Sequence, residues 1–534
     1  MRSATPARAG AGSIADEAAR RRTFAIISHP DAGKTTLTEK LLLYGGAVAE
    51  AGAVKARAGR REVTSDWMEL ERRRGISVTS TALRFEHGGQ VLNLLDTPGH
   101  RDFSEDTLRV LVAADAGVML LDAARGVEAQ TLRLFQVARA RRVPLLTFVN
   151  KYDRPGMEPL AMLDHLQAEL GITGVPLTWP VGQPGDFRGV LDAGTGAFHR
   201  FRRTARGATA AVEEVLDPAA AGAGEAQLVA TAEEELALAR DVAGPLDPAL
   251  LAAGDVTPVL FGSALSSFGV ERLLGALHTY APSPSERLDD RGEPRPLDAA
   301  FSGLVFKVQA NMDPRHRDRL AFLRVCSGVF ERGMTAVNAR TGRPMTLAHA
   351  HEVFARERAV IDVAYPGDVV GVVNAAGVVV GDTLSSAGDV AFPAIPTLPP
   401  EHFVYAHNRE PSRSKQFRRG LAELDQEGVV HLLQVVGDHA PVPVLGAVGP
   451  LQLDVAIERL RTEFGADVRL EPAPWTLARR TDEDGAAALS GGRTRTALRR
   501  RDGTLLAAFT NRTALEFFQR DHPGARLDAV LAAG

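Results

Sequence analysis

The chain has 534 residues, enough for three or four domains at roughly 150 residues each. With 45% hydrophobic and 24% charged residues its proportions are ordinary for a globular protein, and it holds no uncharged apolar run of about 18 residues that could span a membrane. A single cysteine, Cys326, excludes an intramolecular disulfide framework and multi-cysteine metal sites, and a formal net charge of −4 excludes a global basic field drawing the chain onto nucleic acid.

Met1 to Arg22 is rich in Ala, Gly and Arg and lacks the apolar centre of a secretory signal, so residues 1–22 are expected as a disordered tail. From Thr23 short apolar runs alternate with helical periodicity, which predicts an α/β domain with a parallel sheet over residues 23–281. Strands are expected at Phe24–Ser28, Val78–Phe85, Val91–Leu95, Gly117–Leu121, Leu145–Val149 and Pro258–Phe261. A helix should begin at Lys34, carry Leu37, Leu41 and Tyr44 on one face, and stop at Gly45-Gly46. Residues 186–254 break this rhythm. A Gly/Arg-rich piece precedes an Ala/Glu-rich stretch, Ala211–Ala243, of helical composition, and the whole is expected as a surface insertion, partly mobile.

Residues 282–297 are polar and proline-punctuated, which predicts a linker. The period then changes to two, at Leu304–Val308, Leu320–Val325, Val369–Val373 and Val378–Val380, predicting an all-β barrel over residues 298–392. Residues 400–534 follow a proline cluster. They read strand (His402–His407), helix (Ser412–Asp425), strands (Val429–Val435, Val444–Val448), helix (Leu451–Phe464) and strand (Asp467–Leu470). This is the order of a ferredoxin-like α+β domain, and a weak helix–strand tail follows it.

Four loops carry chemistry, each expected at the carboxyl end of a strand. Ser28-His29-Pro30-Asp31-Ala32-Gly33-Lys34-Thr35 lies between strand and helix, where a P-loop must lie. Its small residues let backbone N–H groups wrap phosphate oxygens, with Lys34 on the β- and γ-phosphates and the Thr35 hydroxyl on Mg2+. The first position of the general P-loop pattern is Gly; here it is Ser28. Asp96-Thr97-Pro98-Gly99-His100 ends the third strand, with Asp96 able to hold Mg2+ through water and the Gly99 amide able to sense a γ-phosphate. In Asn150-Lys151-Tyr152-Asp153 the carboxylate can accept from guanine N1–H and the 2-amino group, a donor pair adenine lacks. Ser263-Ala264-Leu265 could approach guanine O6 through a backbone amide. Together these point to GTP and GDP. Only six of the 62 basic residues are lysines, and two of them, Lys34 and Lys151, fall in these loops.

In these residues the chain resembles the translational GTPases from about Arg22 to its end, with ISHPDAGKTT (27–36), DWMELERRRGIS (66–77), DTPGHRDFSEDTLR (96–109), NKYDRPG (150–156) and GAVGPLQLDV (446–455) similar to the bacterial termination branch. The resemblance implies a ribosome-stimulated GTP hydrolase that promotes departure of class-I release factors after peptide release. It places Ser77 where most relatives have a Mg2+-binding threonine. It makes His100 the group that orients the attacking water, which phosphoryl transfer needs more than covalent help. Arg409, Arg413, Lys415, Arg418 and Arg419, and Arg493, Arg495, Arg499, Arg500 and Arg501, form basic patches suited to the ribosome. The expected protein is a cytoplasmic monomer that binds neither membrane nor DNA. Another translational GTPase of elongation or rescue, or a ribosome-binding module with little hydrolysis, stays open on sequence. A P-loop ATPase or kinase is opposed by Asp153 and the barrel.

Overall fold

The computed structural model describes residues 13–46, 81–98, 101–202, 212–310, 319–351, 360–373, 375, 377–437, 442–489 and 494–528. Helix α1 (Ile14–Ala19) opens on a capping box, in which Ser13 and Asp16 side chains each accept the other's backbone N–H. Residues 13–22, expected within a disordered tail, are therefore folded, because β1 (Arg21–Ser28) starts directly behind this helix.

The first unit continues through α2 (Lys34–Tyr44), β2 (Thr81–His87), β3 (Gln90–Asp96), α3 (Ser104–Ala113), β4 (Ala116–Asp122), α4 (Ala129–Ala140), β5 (Leu145–Asn150) and α5 (Pro159–Leu170). It then runs through β6 (Thr173–Pro176), β7 (Thr178–Val181), β8 (Gly189–Asp192), β9 (Phe198–Arg202), β10 (Val212–Leu216), α6 (Ala226–Ala243), α7 (Pro248–Ala253), β11 (Val256–Phe261) and α8 (Val270–Tyr280). The main sheet has the order β2-β3-β1-β4-β5-β11-β6, parallel except for β2. Phe24 and Ile26 of β1 face a layer with Leu37 and Leu41, while Ala25 and Ile27 face the opposite layer with Val110 and Leu111. A continuous apolar run suits a strand covered on both faces. Strand order reverses at β1, and open α/β sheets bind ligands beyond the carboxyl ends of strands at such a point.

The insertion forms a second sheet that packs into the core of the first unit. Strands β7 to β10 form an antiparallel sheet, so it begins before the expected residue 186. Residues 212–216, expected as helix, form β10 instead. Val212 and Val215 favour a strand, and Glu214 pairs across it with Arg202 at 2.8 Å. Helix α6 packs Val229, Ala232 and Leu236 inward, and Glu235 accepts from the Trp179 indole at 3.0 Å.

The expected linker contains a hairpin, β12 (Arg287–Leu288) and β13 (Pro294–Arg295), whose turn is held by Asp289 accepting from the Arg291 and Glu293 amides. The barrel-like unit comprises β14 (Ser302–Ala310), β15 (Arg319–Ser327), β16 (Phe330–Glu331), β17 (Thr335–Asn338), β18 (Pro344–Thr346), β19 (Ala350–His351), β20 (Val363–Ala364), β21 (Val369–Val373) and β22 (Thr383–Ser385). Val378–Val380, expected as a strand, is a turn. Gly377 and Gly381 have positive φ, and the Asp382 carboxylate accepts from the Val379 amide and Asn338, which fixes the bend and moves the strand to Thr383.

The last unit runs β23 (His402–Asn408), α9 (Ser414–Glu427), β24 (His431–Val435), β25 (Val444–Ala447), α10 (Pro450–Phe464) and β26 (Val468–Pro472), the expected ferredoxin-like succession. The supposed tail adds β27 (Leu477–Thr481), α11 (Glu483–Ala488), β28 (Arg495–Arg500), β29 (Leu505–Phe509) and α12 (Arg512–Asp521). Its strands extend the same sheet, ordered β26-β23-β25-β24-β28-β29-β27. Without β28 the β24 edge would stand unpaired.

Two seams join the first unit to the others, and a third contact, Arg319 Nη1 donating to Gln426 Oε1 of α9 (2.6 Å), joins the barrel to the last unit. At the amino end of β1, the Gly367 carbonyl of the barrel accepts from Thr23 Oγ1 (2.6 Å), Asn93 Nδ2 (3.2 Å) and Arg324 Nη1 (2.8 Å). Beside it Arg21 Nε meets Asp368 Oδ2 at 2.8 Å, both side chains buried. The second seam joins residues 102–109 to the last unit. Asp102 Oδ2 accepts from the Leu451 amide at the start of α10 (2.7 Å), Phe103 packs on Leu451 and Val455, and Arg109 Nη1 donates to the Glu427 carbonyl (3.2 Å).

Candidate nucleotide site

The P-loop turns sharply because two residues take left-handed backbone conformations, Asp31 (φ 66°) and Gly33 (φ 99°). Gly33 caps α2, and a side chain there would collide with Asn150 Nδ2, so only glycine lets the loop and β5 approach. The Lys34 ammonium reaches Asp96 Oδ1 (2.8 Å) and the Thr97 carbonyl. Thr97 Oγ1 donates to the Ile26 carbonyl (2.7 Å), tying the β3 loop to β1. Thr35 is exposed in the first turn of α2, while Ser28, Ala32, Thr97 and Pro98 are buried. His29 lies beneath the loop, fully buried, with no partner at either ring nitrogen among the described residues. Burial holds its imidazole below the ordinary pKa.

Asn150 is the junction of three loops. Its Nδ2 donates to the Ala32 carbonyl (2.7 Å) and its Oδ1 accepts from the Ala264 amide (2.8 Å). Lys151, at φ 63°, donates to the Asp31 carbonyl (2.5 Å) and to Asp122 Oδ2 (2.8 Å). Tyr152 is buried and its amide donates to the Gly262 carbonyl (3.1 Å), leaving the half-buried Asp153 carboxylate with no partner among the described residues. Asp122, at the end of β4, was not among the expected site residues. Burial raises its carboxyl, but the Lys151 hydrogen bond and the Ala124 amide outweigh this and hold it below the ordinary value. An acid closing a buried strand beside three ligand loops was the available signal.

Of the three amides expected near guanine O6, that of Ala264 is already given to Asn150. In the 263–268 loop the Ser263 and Phe268 amides bond each other's carbonyls, Ser266 donates to Ser263 Oγ and Ser267 to the Ala264 carbonyl. Leu265 has the one amide of this loop without a partner among the described residues. Ser77, Gly99 and His100 lie outside the described residues. Of the basic patches, Arg409, Arg413, Arg419 and Arg499 each face an acid within 3.6 Å, at Asp467, Glu410, Glu423 and Glu483. Arg495 lies over the Phe518 ring, and Arg493 is not described.

Comparison with known proteins decides among the nucleotide-binding families. Residues 19–283 match the model of the elongation factor Tu GTP binding domain, residues 300–387 that of elongation factor G domain 2, and residues 392–519 that of the class II release factor RF3 C-terminal domain. Proteins named peptide chain release factor 3 are similar throughout. That of Microcystis aeruginosa is 46% identical over 96% of both chains, and that of Synechocystis sp. 48% identical over 89% of this chain and 88% of the relative. The chain belongs to the peptide chain release factor 3 family. As a release factor 3 family member it is a translational GTPase of termination whose hydrolysis of GTP the ribosome stimulates. A solved crystal structure, that of ttk003000868 from Thermus thermophilus, shares the fold, with a TM-score of 0.68 over 91% of this chain and 72% of that one at 24% identity.

Proposed function

We propose that the loops at the carboxyl ends of β1, β3, β5 and β11 hold GTP or GDP with Mg2+, and that the cycle drives class-I release factors from the ribosome after peptide release. The observation that carries this reading is the Asn150 junction, which binds the P-loop, the Asn150–Asp153 loop and the 263–268 loop into one surface. Lys34 neutralises the β- and γ-phosphates. Asp153 accepts from N1–H and the 2-amino group of guanine, and the Leu265 amide meets O6. The Gly99 amide senses the γ-phosphate.

The donor set fits Mg2+, a hard cation that takes oxygen ligands. Thr35 is exposed, its hydroxyl without a partner among the described residues, and Asp96 Oδ1 lies 2.8 Å from the Lys34 ammonium. With Ser77 these residues hold the ion, which when bound offsets charge on the phosphates. His100 orients the attacking water. Lys415, Arg418 and Arg501, exposed and without a carboxylate partner among the described residues, are the positive charges left for RNA phosphates. The protein works in the cytoplasm as a monomer.

Rapid-quench hydrolysis with and without ribosomes tests the reading, alongside the departure rate of a class-I factor from terminated ribosomes. Ribosomes and GTP together should accelerate both. His100→Ala should lower the stimulated rate by about 10²-fold while nucleotide affinity holds. A stimulated rate within about twofold of wild type, on a scale where tenfold is about 1.36 kcal/mol, would remove His100 from the reaction.

A further inference from the structure

The two loops assigned to guanine share one aromatic support that comes from the insertion. The Tyr152 ring, fully buried, lies edge-on to Phe187 (centroids 5.2 Å) and to Phe261 (5.4 Å). Phe187 belongs to the turn between β7 and β8, and Phe201 to β9. Phe201 stacks on Phe268 at 4.8 Å with a 20° interplanar angle, and Phe187 is edge-on to Phe201 at 5.5 Å. Phe268 closes the 263–268 loop through its paired backbone bonds with Ser263. The backbone reinforces the rings, since the Gly185 amide donates to the Tyr152 carbonyl at 3.1 Å.

Phe187 and Phe201 belong to none of the nucleotide loops, yet touch the residues that fix both base loops. Tyr152 immediately precedes Asp153, and Phe268 sets the frame in which the Leu265 amide is presented. Ring pairs of this geometry prefer a narrow set of offsets, so they hold loop positions more tightly than aliphatic contacts of equal area. We propose that the inserted sheet is a clamp on the guanine loops, with Phe187 and Phe201 as positioning residues that set base discrimination and slow nucleotide release. The proposal rests on the assignment of Asp153 to the base.

The test uses the full chain carrying Phe187→Leu or Phe201→Leu, which keep apolar volume and lose the ring. Stopped-flow displacement measures release of GDP and of inosine diphosphate, which lacks the 2-amino group. A displaced Asp153 loses its bond to that group, so GDP loses more than the inosine analogue. GDP release should quicken by about tenfold, and the GDP-to-inosine affinity ratio should fall toward one. Equal acceleration for both nucleotides, or wild-type values in folded variants, would overturn the clamp. If the leucine variants fail to fold, Phe201→Tyr, which keeps the ring, serves with Phe187→Met, and a Phe187→Met ratio equal to wild type overturns it likewise. Asp153→Asn is measured beside them. If it keeps GDP affinity and gains no xanthosine diphosphate binding, the base assignment itself is wrong. If it switches preference while the phenylalanine variants do not, only the clamp fails.

Discussion

Asn150 shows how much one side chain can be asked to hold. It satisfies a carbonyl of the P-loop and an amide of the 263–268 loop, both buried. In Asn150→Ala each is left without its partner, at about 1–3 kcal/mol apiece. The expected outcome is a lower thermal midpoint together with weaker GTP binding, measured by calorimetry on the same sample. A midpoint loss without an affinity loss would mean the three loops do not act as one surface. The chemistry of this residue was legible as part of Asn150-Lys151-Tyr152-Asp153, but its bonding was not. Sequence order places the loops at strand ends, whereas the engagement of Ala264 with Asn150 depends on a close approach that Gly33 permits.

At the scale of elements, α3 carries a buried network into the last unit. Glu105 Oε1 accepts from Arg109 Nη2 (2.7 Å), and Glu105 Oε2 lies 3.2 Å from His431 Nε2 of β24. Burial raises the Glu105 carboxyl, but Arg109 and His431 outweigh it and bring it down to about 2, from an ordinary 4.5. A carboxylate with a lowered folded-state pKa stabilises the fold above its unfolded value and loses that contribution as pH falls toward the folded value. Glu105 should therefore contribute about 3 kcal/mol near neutrality, lost between roughly pH 4.5 and 2. Denaturant titrations of wild type and Glu105→Gln across that range check it. The stability gap between them should close as pH falls, and a gap independent of pH would refute the network. The helices and strands of this unit were legible from periodicity up to residue 470. Its final strands were not, because charged stretches such as β28 hide the alternation, and only the edge of β24 explains why they pair.

Across the whole molecule, Arg21 and Asp368 fasten the barrel to the first sheet. Removing Asp368 takes a carboxylate from buried Arg21 but leaves it Glu17 (2.6 Å), so the loss should fall below the roughly 3–5 kcal/mol of a fully stranded charge. In calorimetry the wild type should melt these two units in one transition and Asp368→Ala in two or in one at lower temperature, and a single unshifted transition would deny the seam its role. The three-part architecture was legible from changes of period and proline clusters. The seams were not, since residues 21 and 368 or 102 and 451 are paired only by the fold.

The Gly367 carbonyl, with its three donors, has a mechanical consequence. Two of them, Thr23 and Asn93, belong to the sheet, so the carbonyl ties the barrel to the end of the sheet opposite the P-loop and makes one frame of the two units. The last unit joins that frame through the prolines of residues 393–400, rests its α10 on Asp102, six residues along from Asp96, and ties α9 to the barrel where Arg319 Nη1 donates to Gln426 Oε1 (2.6 Å). Residues 102–109 and the Arg319–Gln426 contact are then two separate footings for the last unit. Of the two, the footing at Asp102 lies in the chain segment that leaves the β3 loop, and so couples the last unit directly to that loop.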